Sequence, residues 1–86
     1  MQVRVLLFAS LRDAVGADHV VVTLETGESR VAVAAVLEAC ALQFPVLAAW
    51  LPHVRAAVNC EYVQSDARVS PADEIALIPP VSGGYH

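Results

Sequence analysis

Only one stretch of this chain, residues 31–44 (VAVAAVLEACALQF), is long enough and apolar enough on one side to form a helix of roughly three to four turns. Val36, Leu37, Cys40, Ala41 and Phe44 fall at helical spacing, and Val33 extends that face toward the N-terminus. Ser29 is the expected N-cap. Pro45 has no N–H to continue the ladder, so it ends the helix and suits the first position of a short second one, over residues 46–51. A chain with a single full helix must build the rest of its core from strands.

Those strands are visible as short runs of β-branched and aromatic residues between turn signals. Residues 3–8 (VRVLLF) read as a first strand whose near-continuous hydrophobicity predicts a central position, covered at least in part on both faces. Ser10 is placed to cap a short helix over residues 11–15, and Gly16 to end it. Residues 19–24 (HVVVTL) give a second strand with Val20, Val22 and Leu24 on one side. Residues 54–59 and 62–64 read as a third strand and its short return, with a turn at Asn59, Cys60 and Glu61. Residues 67–69 follow, and residues 74–79 (EIALIP) are the last strand. A hairpin, one crossing helix and further strands predict an α+β fold with the helix on one face of a mixed sheet. The first and last strands are expected to pair in parallel at its centre, which is the β-grasp arrangement. Ferredoxin-like alternatives need a second full helix, and residues 46–51 are too few.

The chain has 86 residues, and 57% of them are hydrophobic against 16% charged, enough apolar material for one small domain. The body is expected to span residues 1–80, with a flexible tail over residues 81–86. No apolar run reaches the roughly 18 residues needed to cross a bilayer, so no membrane role is expected and the cytoplasm is the expected location. The net charge is −4 and the five basic residues, all arginine, are scattered, which argues against nucleic-acid binding. Cys40 and Cys60 match no metal spacing, and a disulfide between them is not expected. No catalytic triad, P-loop, dinucleotide fingerprint or zinc motif is present, so no independent catalysis, bound cofactor or metal is expected.

The chemistry is concentrated in the tail. Pro79 and Pro80 stop the last strand, Val81 and Ser82 follow, and then come Gly83 and Gly84. A glycine has no Cβ, so its backbone passes a narrow channel, and its carboxyl is the least hindered a chain can present. As a carboxylate it is a poor acyl donor. Adenylation makes it electrophilic, and sulfur can then replace an oxygen. A Gly-Gly pair alone is a weak signal, because many chains end in small residues.

The run from Glu74 through Ile75, Ala76, Leu77, Ile78, Pro79, Pro80, Val81 and Ser82 to Gly83 and Gly84 resembles the C-terminal signature of molybdopterin synthase small subunits, the ubiquitin-like sulfur carriers also called molybdopterin-converting factor subunit 1. The opening from Val5 to Gly16, and the segment Arg55, Ala56, Ala57, Val58 and Asn59, are similar to that family too. The resemblance implies sulfur carriage for molybdenum-cofactor biosynthesis. It implies that Gly84 is adenylated by an E1-like adenylyltransferase using ATP, then thiocarboxylated. It also implies that Val81, Ser82 and Gly83 thread into the large subunit of a heterotetrameric synthase, where sulfur passes to cyclic pyranopterin monophosphate. Phe8, Leu77, Ile78 and Pro80, at the root of the tail, are candidate partner contacts. Tyr85 and His86 depart from the family pattern, which ends at the second glycine. A cloning remnant, a precursor cleaved after Gly84 and a fusion to the large subunit are three readings of them. Two rivals stand beside this reading: a carrier for thiamine or tRNA thiolation, and a β-grasp module that only binds a partner.

Overall fold

The computed structural model describes residues 1–80. The expectations for Val81, Ser82, Gly83, Gly84, Tyr85 and His86 concern residues outside those described.

Strand β1 (Gln2–Leu7) is followed by helix α1 (Ala9–Val15), strands β2 (His19–Thr23) and β3 (Val31–Ala32), helix α2 (Val33–Gln43), and strands β4 (Arg55–Val58), β5 (Glu61–Val63), β6 (Arg68–Val69) and β7 (Ile75–Ile78). Five strands form one sheet in the order β2-β1-β7-β4-β5, and β3 and β6 form a two-stranded sheet of their own. β1 and β7 pair in parallel, with Leu7 opposite Leu77, and every other pairing is antiparallel. This is the expected β-grasp topology, with the first and last strands adjacent at the centre.

One face of the sheet makes the core. Val3, Val5, Leu7, Val20, Val22, Ile75 and Leu77 turn toward α2 and meet its buried residues Val33, Val36 and Cys40. Among the described residues no polar or charged side chain is buried. β1 is internal to the sheet as expected, and its in–out alternation limits the cover on the outer face to Leu6, which is half-buried, while Gln2 and Arg4 are exposed. Burial pushes the Cys40 thiol up to about 11, so it stays protonated as a small core residue. Cys60 is exposed, and neither cysteine is in a disulfide.

Several local expectations shift. α2 begins two residues late, because Val31 and Ala32 pair with Val69 and Arg68 instead. The free N–H groups of Val33 and Ala34 are taken by the carbonyls of Ala67 (2.8 Å) and Ser65 (2.9 Å), so no side-chain cap is needed and Ser29 does not provide one. α1 likewise starts without a Ser10 cap, but Gly16 ends it in the left-handed region (φ 83°) as expected. The second helix over residues 46–51 is replaced by two single 3-10 turns, Pro45–Leu47 and Leu51–His53, whose Leu47 and Leu51 plug the end of the core.

Candidate functional site

The parallel pairing of β1 and β7 carries both strands out of the sheet at the same end. Phe8 therefore stands beside the exit of β7, where Ile78, Pro79 and Pro80 lead toward residue 81. Side chains alternate along β7, so neighbouring residues have opposite fates. Leu77 faces α2 and is 0% exposed; Ile78 is half-buried on the other face. Leu77 is thus a core residue, which corrects its place among the partner contacts. Phe8 is 44% exposed and Pro80 is exposed. The structure brings together Phe8 and Ile78, two of the four candidates at the root of the tail, and leaves Pro80 exposed two residues beyond Ile78.

Around them the uncovered face of the sheet forms a shallow apolar hollow of about 270 Å³. Leu6, Ala57, Tyr62 and Ala76 line it with Phe8 and Ile78, and the exposed Cys60 stands at its rim. The register explains the cluster. Leu6 lies opposite Ala76, Ala76 opposite Ala57, and Ala57 opposite Tyr62, one residue from each of four adjacent strands on the same face. The small alanines in the middle make the depression. Arg55 lies over the Tyr62 ring at 4.3 Å and holds that aromatic in place by a cation–π contact. Sequence reasoning missed Leu6, Ala57 and Tyr62. The alternation Arg4, Leu6, Phe8 pointed to Leu6, since an exposed arginine at one position marks the outward face two residues on.

Two turns frame this face. Phe8 is followed by Ala9 in the left-handed region (φ 49°), a conformation that costs a non-glycine residue about 1 kcal/mol and that turns the chain sharply from β1 into α1. At the opposite end Asn59 (φ 51°) and Cys60 (φ 71°) form the two-residue loop between β4 and β5, with the positive φ values of a type I′ turn. The Asn59 side chain ties that loop to the start of β7. It accepts from the Glu74 N–H (2.9 Å) and donates to the Asp73 carboxylate (3.0 Å), which also accepts from the Ser70 N–H (2.8 Å). Those donors, Ser70 first and Asn59 second, hold the Asp73 carboxyl below its ordinary 3.8.

Among the described residues no cluster of three or more His, Cys, Asp or Glu could hold a metal ion. No helix there is long and apolar enough to cross a membrane. What the region offers is an uncovered apolar hollow beside the exit of β7.

The chain matches the ThiS family over residues 5–84, a span that runs from the second half of β1 through every later strand and ends on the second glycine. It belongs to the ThiS family. Among its ThiS-like relatives, the molybdopterin synthase sulfur carrier subunit of Arabidopsis thaliana is 34% identical over 84 residues, covering 98% of this chain and 84% of the relative. The molybdopterin synthase sulfur carrier subunit of Dictyostelium discoideum is 34% identical over 85 residues, covering 96% of each. The crystal structure of SAMP1 from Haloferax volcanii superimposes with a TM-score of 0.79 at 27% identity, over 98% of this chain and all of that one (100%). Both the resemblance read from the tail signature and the β-grasp fold are thereby established.

Proposed function

We propose that this ThiS-family chain is a sulfur carrier of molybdenum-cofactor biosynthesis, acting as the small subunit of molybdopterin synthase. The observation that carries the reading is the family match that runs through Gly83 and Gly84, joined to near-full-length similarity to two sulfur carrier subunits. In this mechanism the Gly84 carboxylate attacks the α-phosphorus of ATP on an E1-like adenylyltransferase, and pyrophosphate leaves. A sulfur donor then displaces AMP from the acyl carbon, leaving a thiocarboxylate. That sulfur is a soft nucleophile: inside the large subunit it bonds to a carbon of cyclic pyranopterin monophosphate and displaces an oxygen substituent, and water then cleaves the resulting thioester and restores the Gly84 carboxylate. The chemistry needs a free α-carboxyl at Gly84, so on this reading Tyr85 and His86 are removed first. Val81, Ser82 and Gly83 present little bulk to a channel. The small subunit supplies no acid, base or metal, and ATP is used by the activating partner.

The apolar hollow at the root of the tail is the proposed seat for both protein partners. An aliphatic or aromatic side chain of the partner would fill the depression over Ala57 and Ala76, inside a ring of Leu6, Phe8, Tyr62 and Ile78. A partner held there lies against Ile78, the last residue of β7.

The intact mass of the protein from its native host tests the proposal. A species ending at Gly84 with one oxygen replaced by sulfur is expected. A species ending at His86 and free of added sulfur, in cells actively making the cofactor, would overturn it in favour of a β-grasp module that only binds a partner.

A further inference from the structure

A second surface lies at the opposite edge of the sheet. β2 pairs only with β1, so its outer edge is open. Met1 and Leu24 exchange two backbone hydrogen bonds (2.9 and 2.7 Å), and this sets the alternation along the hairpin. Val22 and Val20 direct their peptide groups to β1, while Thr23, Val21 and His19 direct theirs outward. At Thr23 a side chain has taken the outward position. The Gln43 carboxamide accepts from the Thr23 N–H (3.0 Å) and donates to the Thr23 carbonyl (2.6 Å). One amide group giving and receiving at one strand residue makes the same pair of bonds as a neighbouring strand would. Gln43 thus occupies the place of a missing strand.

The ground beside it suits a peptide. A groove of about 540 Å³ runs between the segment after β2 and α2. Ala35 and Ala39, both half-buried, line it, and Leu42, 78% exposed, stands at its edge. Its rim carries Glu25, Glu28 and Glu38. Glu28 is paired with Arg68 at 3.1 Å; among the described residues Glu25 and Glu38 have no cation at salt-bridge distance.

We propose that the β2 edge and this groove form a strand-addition site for an extended basic segment of a partner protein, with Gln43 keeping the place in the free protein. The outward peptide groups of His19, Val21 and Thr23 supply the main-chain bonds, the groove takes alternate apolar side chains, and Glu25 and Glu38 take lysine or arginine. Charge selects this occupant over a second copy. Antiparallel self-pairing centred on Val21 would set Asp18 of one copy opposite Leu24 of the other, next to its Glu25, at both ends of the joint. Each copy also carries a net charge of −4. The site is separate from the tail and does not rest on the sulfur-carrier reading.

The test titrates the isotope-labelled full chain with an amidated ten-residue peptide of alternating valine and lysine, read by amide chemical shifts. A second peptide of equal charge, N-methylated at alternate residues, lacks the donors for strand addition. The first peptide is expected to shift the amides of His19, Val21 and Thr23 and the side-chain amide of Gln43, and the methylated one to bind at least about tenfold more weakly. Gln43→Ala should bind the first peptide roughly three- to tenfold more tightly, having no bonds to break at Thr23. The double variant Glu25→Gln, Glu38→Gln should bind it several-fold more weakly with a shallower salt dependence. Equal binding of the methylated peptide would reduce the effect to charge attraction and overturn the proposal. So would shifts centred on Leu6, Phe8 and Ile78, or a concentration-dependent dimer of Gln43→Ala, which would make Gln43 a guard against self-pairing.

Discussion

The two faces of the five-stranded sheet are built from the same strands, often from adjacent residues, yet they do opposite work. Leu77 and Ile78 are neighbours of similar volume; one is sealed beneath α2 and the other borders an open hollow. At its centre the covered face packs apolar side chains, Val5, Leu7, Ile75 and Leu77 among them, at close to zero exposure, and it carries the stability of the domain. The open face is almost as apolar at its centre but is ringed by Arg4, Arg55 and Glu74. Apolar surface left uncovered and rimmed by charge is what a docking site requires. Hydrophobicity by itself therefore does not tell core from interface here; the parity of the residue along its strand does.

The sharpest way to break the comparison is to exchange those two neighbours. Leu77→Ala should lower the unfolding free energy by about 3–4 kcal/mol in a denaturant titration, since it opens a cavity in a packed core. Ile78→Ala should cost about 1 kcal/mol or less. Similar losses for both would mean that the open face is part of the core. Next in size is Phe8→Asp. It should weaken binding to the molybdopterin synthase large subunit by roughly 2 kcal/mol, some thirtyfold, in a calorimetric titration, with a melting temperature close to that of the parent. Unchanged affinity would move the docking site elsewhere.

A smaller effect is expected at the far end of the sheet. Asn59→Ala removes both side-chain bonds of the clasp and puts alanine at φ 51°, so a loss of about 1–2 kcal/mol should appear on unfolding. The same clasp has an acid signature. The Asp73 carboxyl is held below its unfolded value, so its contribution is complete above pH 3.8 and fades as the pH falls through the lower folded value. Asn59→Ala, lacking one of the two kinds of donor, should show a shallower loss of stability below pH 3.8. The smallest expected change is a gain: Cys60→Gly relieves a side chain at φ 71° and should stabilise the hairpin by about 0.5–1 kcal/mol.

Where the sequence was legible, one local signal had no competitor. Pro45 after an apolar helical stretch, Gly16 after α1 and the alternation in residues 19–24 all act within a few residues, and all are seen in the fold. What was missed depends on distant partners. Residues 31 and 32 look helical until the strand at Arg68 and Val69 claims them, and the carbonyls of Ser65 and Ala67 replace the cap expected from Ser29. Residues 46–51 suggested a helix, but Pro52 follows at once and only single turns form. At the candidate site Phe8, Ile78 and Pro80 were legible because they stand next to the tail motif in sequence or strand order. Ala57 and Tyr62 reach it only through the register of β4 with β7 and of β5 with β4, which no local pattern encodes.

The parallel joining of β1 to β7 has a consequence in time. The first strand to leave the ribosome is hydrogen-bonded in the finished protein to the last. Until residues 75–78 emerge, the β1–β2 hairpin has one long edge bare and its apolar side without the central strand that completes the sheet. Closing that loop spans nearly the whole chain, so folding should be governed by a late, long-range step, slower than the size of the domain alone would suggest. A nascent chain of this kind stays open until β7 has emerged.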